Sequence, residues 1–230
     1  MNKINIAIDG HSSCGKGTLA RFLSKELGYV MIDSGAMYRA VTLAALRNGV
    51  DIHDEQALAA LLPQLNISFQ VNPDNGRSEL WLNGVYEEPN IRTMEVAQAV
   101  SMVSKHSAVR RYLVAQQQTM GAHKGVVMDG RDIGTVVFPD AELKIFMTAS
   151  PEIRAERRFK ELSAAGIQTS YNEVLANLNG RDAVDSSRED SPLLMAPGAK
   201  LLDNSHLSIE AQGAQALEWA KAAINRSAAH

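Results

Sequence analysis

Two glycines and a lysine at fixed spacing are the first residues here that could do chemistry. Gly10-His11-Ser12-Ser13-Cys14-Gly15-Lys16 is followed by Gly17-Thr18. Glycines let a backbone curl so that successive N–H groups point at one anion. A helix opening where the curl ends adds about half a positive charge at the same spot. A lysine placed there reaches the terminal phosphates of a nucleotide. The pattern has this meaning only between a strand and a helix. Ile4-Asn5-Ile6-Ala7-Ile8 is a short apolar run before it, and Leu19, Phe22, Leu23 and Leu27 fall at helical spacing after it. The stretch therefore reads as strand, phosphate-binding loop (P-loop), helix. One position departs from the general motif: Gly17 stands where a hydroxyl residue normally follows the lysine, and Thr18 comes one later.

Arginines supply the second signal. Arg154, Arg157 and Arg158 share one stripe of a predicted helix. Like charges at that spacing repel, so a local helix benefit does not explain them. They face either a polyphosphate or solvent, with Glu161 pairing to Arg157. Arg181, Asp185 and Arg188 share a face if their helix persists; a surface pair of Arg181 with Asp185, or a break at Asn179-Gly180, is the alternative. Arg39 lies one turn beyond Ser34, and Arg131 directly follows a strand. Guanidinium groups are always charged and bind phosphate in a fork. Phosphoryl transfer needs such an arrangement: much charge neutralisation, and a closing element that excludes water.

Asp129 ends a strand, the place of a magnesium carboxylate, and Asp33 is its rival. With Gly17 after the lysine, magnesium held mainly by phosphates and water fits. No protein metal ligand is firmly assigned. None of the six histidines has metal-ligand spacing; His11 reads as a spacer and Cys14 as a small filler.

These residues need a scaffold. Residues 29–33, 126–129, 143–147 and 201–202 read as further buried strands, alternating with helices. Ser34 is expected to cap the second helix, which stops at Asn48-Gly49, and Gly28 to close the first. Pro63 should end a short helix that follows Asp54. Residues 66–71 and 79–82 alternate with period two, and Pro73-Asp74-Asn75-Gly76 and Asn83-Gly84 are turn signals. Residues 93–120 read as two helices, the second capped by Ser107. Pro151 opens a helix, Ser170 and Glu173 form a capping box, and Ser208 caps the last helix. Residues 186–200 read as a mobile loop. The expected fold is α/β: a P-loop, doubly wound, five-stranded parallel sheet with a small antiparallel insert and a helical lid. Ligands bind beyond the carboxyl ends of such strands. That rule gathers the loop, Asp33-Ser34 and Asp129–Asp132 into one cleft.

Composition sets limits. The 230 residues suffice for one domain with insertions. A net charge of −3 argues against a general nucleic-acid or membrane surface. No apolar run reaches the length of a membrane span. Met1-Asn2-Lys3-Ile4 leads straight into a strand, which predicts no secretory signal. The single cysteine fits a reducing compartment, so the expected location is cytoplasmic. A monomer is the expected state.

Gly15-Lys16-Gly17-Thr18 is similar to the nucleoside-monophosphate-kinase form of the P-loop. Together with residues 33–40, Ile91-Arg92-Thr93, residues 129–139 and Arg181-Asp182 through Arg188, it resembles bacterial cytidylate kinases over essentially the whole chain. The resemblance implies ATP-dependent phosphorylation of CMP and dCMP, with magnesium. It implies a single kinase domain over residues 1–230: a core (1–62, 101–150, 191–230), a monophosphate-binding insert (63–100) and a lid (151–190). Lys16, the amides of Gly10–Thr18, and Arg154, Arg157 and Arg158 of the lid would hold ATP. Arg39, Arg131 and Arg188 would hold the acceptor phosphate. Ser34, Arg110 and Asp132 would read cytosine, and Ser101, Arg181 and Asp185 would meet the sugar. Lys16, Arg131, Arg188 and Arg158 would carry catalysis. Ser101 and Arg110 come from the resemblance alone. His11 replaces the family's usual proline, and Ser13 a small residue that is often glycine. Cys14 is left as an oxidation-sensitive point.

Overall fold

A computed structural model describes residues 2–228; Met1, which begins the N-terminal stretch, and residues 229–230 lie outside them. β1 (Asn5–Gly10) is buried along its length. α1 (Lys16–Leu27), β2 (Val30–Asp33), α2 (Ser34–Arg47) and α3 (Glu55–Leu61) follow. β3 (Ile67–Val71), β4 (Ser78–Leu82) and β5 (Val85–Tyr86) come next, then α4 (Met94–Val103), α5 (Ser107–Met120) and β6 (Val126–Gly130). β7 (Leu143–Thr148), α6 (Pro151–Ala164), α7 (Tyr171–Ser187), β8 (Lys200–Asp203) and α8 (Ile209–Ser227) complete the chain.

β1 lies at the centre of a five-stranded sheet of order β2-β6-β1-β7-β8, and every pairing in it is parallel. β3, β4 and β5 form a separate antiparallel sheet. The chain leaves β1 for one side of the sheet and later returns to the other, so the sheet reverses direction beside the P-loop. That crevice is where open α/β sheets bind ligands. Register fixes the approach: Asp9 pairs with Gly130, and Gly10 with Met147. A Cβ on Gly10 would stand 2.1 Å from the Met147 carbonyl oxygen, so only glycine lets the loop leave the sheet here.

Several local expectations shift. The cap of α2 is Asp33, whose carboxylate accepts from Ala36 N at 2.9 Å. Ser34 is already helical, and its hydroxyl donates to the Asp129 carbonyl at 2.7 Å. His106 holds the cap position of α5, and Ser107 is its first residue. Pro63 ends the α-helix by tightening it into a 3₁₀ turn over Leu62–Gln64. Gly180 does not break α7, which runs to Ser187 with Arg188 as its cap. The expected mobile loop starts only after that, and is anchored by buried Leu193 and Ala196. After β6 the chain makes a π-helical turn, Ile133–Val137, that no sequence signal announced.

Candidate active site

The loop after β1, the carboxyl ends of β2 and β6, the insert and the lid enclose one cleft of about 1240 Å³. Ser13, Gly15, Lys16, Gly17 and Thr18 form its floor, and Ser34, Arg39, Ser101, Arg110, Arg131 and Asp132 one wall. Arg157, Arg181, Asp185 and Arg188 come from the lid. Gly10, His11, Ser12, Cys14, Arg154 and Arg158, also expected at the site, do not line it.

The floor is built for an anion. Gly15 adopts φ 92°, and α1 begins at Lys16 with no side-chain cap, which leaves its first N–H groups facing the cleft unpaired by a cap. Lys16 folds back and donates to the His11 carbonyl at 2.7 Å. Burial, and then the neighbouring Arg131 charge, pull the Lys16 pKa down. The loop is braced from behind: Asn204 donates to the Cys14 carbonyl at 2.8 Å, and Cys14 is fully buried. Asp9 accepts from Ile133 N at 2.8 Å and Gly134 N at 2.7 Å, tying β1 to the π-helical turn. Burial lifts Asp9 to about 6 despite those bonds.

Paired charges crowd the acceptor wall. Asp33 accepts from Arg39 at 2.8 Å and from Arg92 at 3.0 Å on the same oxygen. Burial favours its neutral form, but the two guanidinium charges outweigh it and bring Asp33 to about 2. Asp129 is raised, first by burial and then by the Asp33 charge. Arg110, 2% exposed, is ion-paired with Asp132, donates to the Ser104 carbonyl at 3.3 Å, and lies 5.7 Å from the centre of the Tyr38 ring. Arg131 donates to Asp185 at 2.7 Å and to the Ser12 hydroxyl at 2.9 Å. Arg188 stands 3.7 Å from Asp185 and donates to the Ser191 carbonyl at 3.2 Å.

What these side chains leave unused matters most. The buried Nε atoms of Arg39, Arg110 and Arg188 have no hydrogen-bond partner among the described residues, nor have the Tyr38 hydroxyl and one Asp129 oxygen. A buried polar group left unpaired costs about 1–3 kcal/mol, and more when charged. Arg39 of α2 and Arg188 at the end of α7 thus each bring to the cleft a guanidinium donor that an anion can satisfy, while the Arg110 nitrogen lies 3.9 Å from Asp190.

The three arginines of α6 take separate roles. Arg154 is 3% exposed, pairs with Asp182, and donates to the Ala149 carbonyl at 3.0 Å and the Ser12 carbonyl at 3.2 Å. Arg157 donates to Asn204 at its side-chain oxygen (3.0 Å) and its carbonyl (2.8 Å). Arg158 pairs outward with Glu161 at 3.1 Å, so Glu161 serves Arg158 and not Arg157. Likewise Asp185 serves Arg131 and Arg188, not Arg181.

Reasoning from residue types alone passed over Arg92, Tyr38, Asn204 and Asp182. Tyr38, Arg92 and Asp182 lie in stretches marked only by the resemblance, without a role given to them. Asn204 and Asp182 act through contacts distant in sequence, which no local pattern reports. Among the described residues no group of three His, Cys, Asp or Glu could hold a metal ion. No described helix is long and apolar enough to cross a membrane.

A family model described as cytidylate kinase matches residues 6–222. The chain is 57% identical over 227 residues to a cytidylate kinase of Parabacteroides distasonis, covering 97% of this chain and 99% of that one. It is 55% identical over 230 residues to a cytidylate kinase of Bacteroides fragilis, covering 99% of each. In structure it is similar to an uncharacterized protein of Eubacterium ventriosum, at a TM-score of 0.50 and 9% identity over 96% of this chain and 99% of that one, a likeness of fold alone.

Proposed function

Since the chain belongs to the cytidylate kinase family, whose members transfer a phosphate from ATP to CMP and dCMP, we propose how this cleft divides that work among its residues. Lys16, the amides of Ser13 and Gly15, and the first turn of α1 bind the donor phosphates. Arg39, Arg131 and Arg188 bind the acceptor phosphate, with Arg92 holding Asp33, and through it Arg39, in place. Ser34, Arg110 and Asp132 read the base, and Ser101, Arg181 and Asp185 meet the sugar. Arg157 approaches ATP from the lid; Arg158, expected to share in catalysis, is turned outward to Glu161 and takes no part in this division. The observation that carries this division is the pair of buried guanidinium nitrogens on Arg39 and Arg188 that have no hydrogen-bond partner among the described residues, in the cleft that Lys16 also lines.

Such a site does little covalent chemistry. It holds the attacking and leaving oxygens in line and neutralises charge on the transferring group. Lys16, which opens α1 beyond the end of β1, and Arg131, directly after β6, both line the cleft and would supply that neutralisation. Magnesium, when bound, supplies further neutralisation at the donor phosphates. Of the two candidate carboxylates Asp129 fits it, having an unpaired oxygen, whereas both oxygens of Asp33 already accept hydrogen bonds. With one free carboxylate, most of its ligands would be phosphates and water. A monomer acting in the cytoplasm, with residues 63–100 as insert and 151–190 as lid, completes the reading; a buried lone thiol suits a reducing compartment.

An acceptor panel tests it. With ATP as donor, CMP and dCMP should be turned over well ahead of AMP, UMP and dTMP. Equal turnover of all five would remove Ser34, Arg110 and Asp132 from base recognition.

A further inference from the structure

Ser12 has three polar groups besides its position in the chain, and each is held by a different element. Its N–H donates to Asp182 of α7 at 3.3 Å. Its carbonyl accepts from Arg154 of α6 at 3.2 Å. Its hydroxyl accepts from Arg131, beyond the end of β6, at 2.9 Å. Asp182 also pairs with Arg154 and lies 3.6 Å from the His11 ring, so one carboxylate joins both lid helices to two residues of the phosphate loop. Asp185, one turn further along α7, holds Arg131 at 2.7 Å. α7 therefore grips the loop twice, directly through Asp182 and indirectly through Asp185 and Arg131.

We infer that Asp182 is a positioning residue for phosphoryl transfer: with Arg154 it clasps the phosphate loop at Ser12 and sets the lid in register with it. The inference rests on the reading of the cleft as the ATP–CMP site. Asp182, Arg154 and Ser12 do not line the cleft, so they act through other groups and not on substrate. What they control is the distance between Lys16, on the far side of the loop, and the arginines carried by α6 and α7. Burial works against the Asp182 charge, but the nearby His11 ring and the Arg154 guanidinium outweigh it and bring the group to about 2. The clasp is thus ionised throughout the neutral range. It also gives Arg154 a task that its place in a stripe of three arginines did not suggest.

The test is Asp182→Asn in the full chain, which keeps the shape and removes the charge. Misplacing a reacting group by about 1 Å costs on the order of 100-fold in rate. The account expects kcat to fall by about 10- to 100-fold while KM for CMP stays within about twofold. Without nucleotide, amide exchange across residues 10–18 should quicken. A kcat within about twofold of the parent, even with a lower Tm, would mark a structural tie and overturn the inference. Unchanged exchange across residues 10–18 would overturn it as well. If the parent itself fails to phosphorylate CMP, the kinase reading falls, and the exchange measurement still judges the clasp. Should Asp182→Asn not fold, Asp182→Glu keeps the charge but displaces it by one methylene; it is expected to lose kcat, and parental kcat in it would equally overturn the inference.

Discussion

Leu80 and Leu82 of the insert belong to one apolar cluster with Met37, Val41 and Leu113 of the body. Val174 and Leu178 of the lid cluster only with Ala155 and the half-buried residues of their own two helices. The insert is fused to the core of the body, whereas the contacts that join lid to body are polar: Asp182 with Ser12, Arg157 with Asn204, Asp185 with Arg131. The difference teaches which part of the site is fixed and which is free to respond. Apolar contact is proportional to area and lost only on unfolding. Ionic and hydrogen-bonded contacts can be exchanged for those of a phosphate at little net cost. Of the acceptor-phosphate arginines, Arg39 on α2 therefore rests on the rigid side, and Arg188, carried by the lid, on the adjustable one.

The strongest way to break this comparison is Leu80→Ala. Leu80 is fully buried, and truncating such a leucine costs about 2–5 kcal/mol. If insert and body share a core, the loss appears in one unfolding transition, coincident at Trp81 in β4 and Trp219 in α8. A separate early transition at Trp81 would make the insert an independent unit. Next in size, Arg188→Met removes a lid donor to the acceptor phosphate; kcat should fall about 100-fold with poorer CMP affinity and a nearly parental Tm. An effect confined to ATP affinity would put Arg188 on the wrong substrate.

Acid should loosen both attachments through carboxylates. Asp33, which joins Arg92 of the insert to the body, and Asp182, which joins the lid, are each depressed from 3.8 to about 2. A carboxylate whose pKa is lowered by folding stabilises fully above its unfolded value, and that contribution disappears as pH falls through the folded one. Stability should thus drop between about pH 4 and 2, with Asp33 alone worth on the order of 2 kcal/mol. Denaturant titrations across that range check it, and a flat profile would deny both pairs. The smallest effect belongs to the loop. Ser13 adopts φ 58°, a left-handed conformation that costs a non-glycine residue roughly 1 kcal/mol. Ser13→Gly should recover about that much, read as a rise in Tm, unless the added freedom of the unfolded chain cancels it.

Ser13 shows how far the sequence reaches. Its departure from a position often held by glycine was visible among the residues; the strain behind that preference was not, because φ depends on the folded loop. The strand–loop–helix unit, the strands and the insert could be read because each is specified by neighbours in sequence. The choice between Asp33 and Ser34 as cap could not, since both residue types cap and the hydroxyl was drawn instead to Asp129, far along the chain. The π-helical turn is stabilised by Asp9, also distant. Arginine stripes showed that charge gathers near the loop. Which arginine faces phosphate and which braces the lid depended on Asp182, Asn204 and Glu161, the partners that folding brings to them.

The central claim is that one cleft holds two phosphate-bearing ligands, one on Lys16 and the loop, the other on Arg39, Arg131 and Arg188. Binding of adenosine and cytidine joined through a polyphosphate bridge tests this most directly, by calorimetry against ATP and CMP separately. The account predicts affinity at least about 100-fold tighter than either alone, because the second binding event becomes intramolecular. Affinity no better than that of ATP would contradict it.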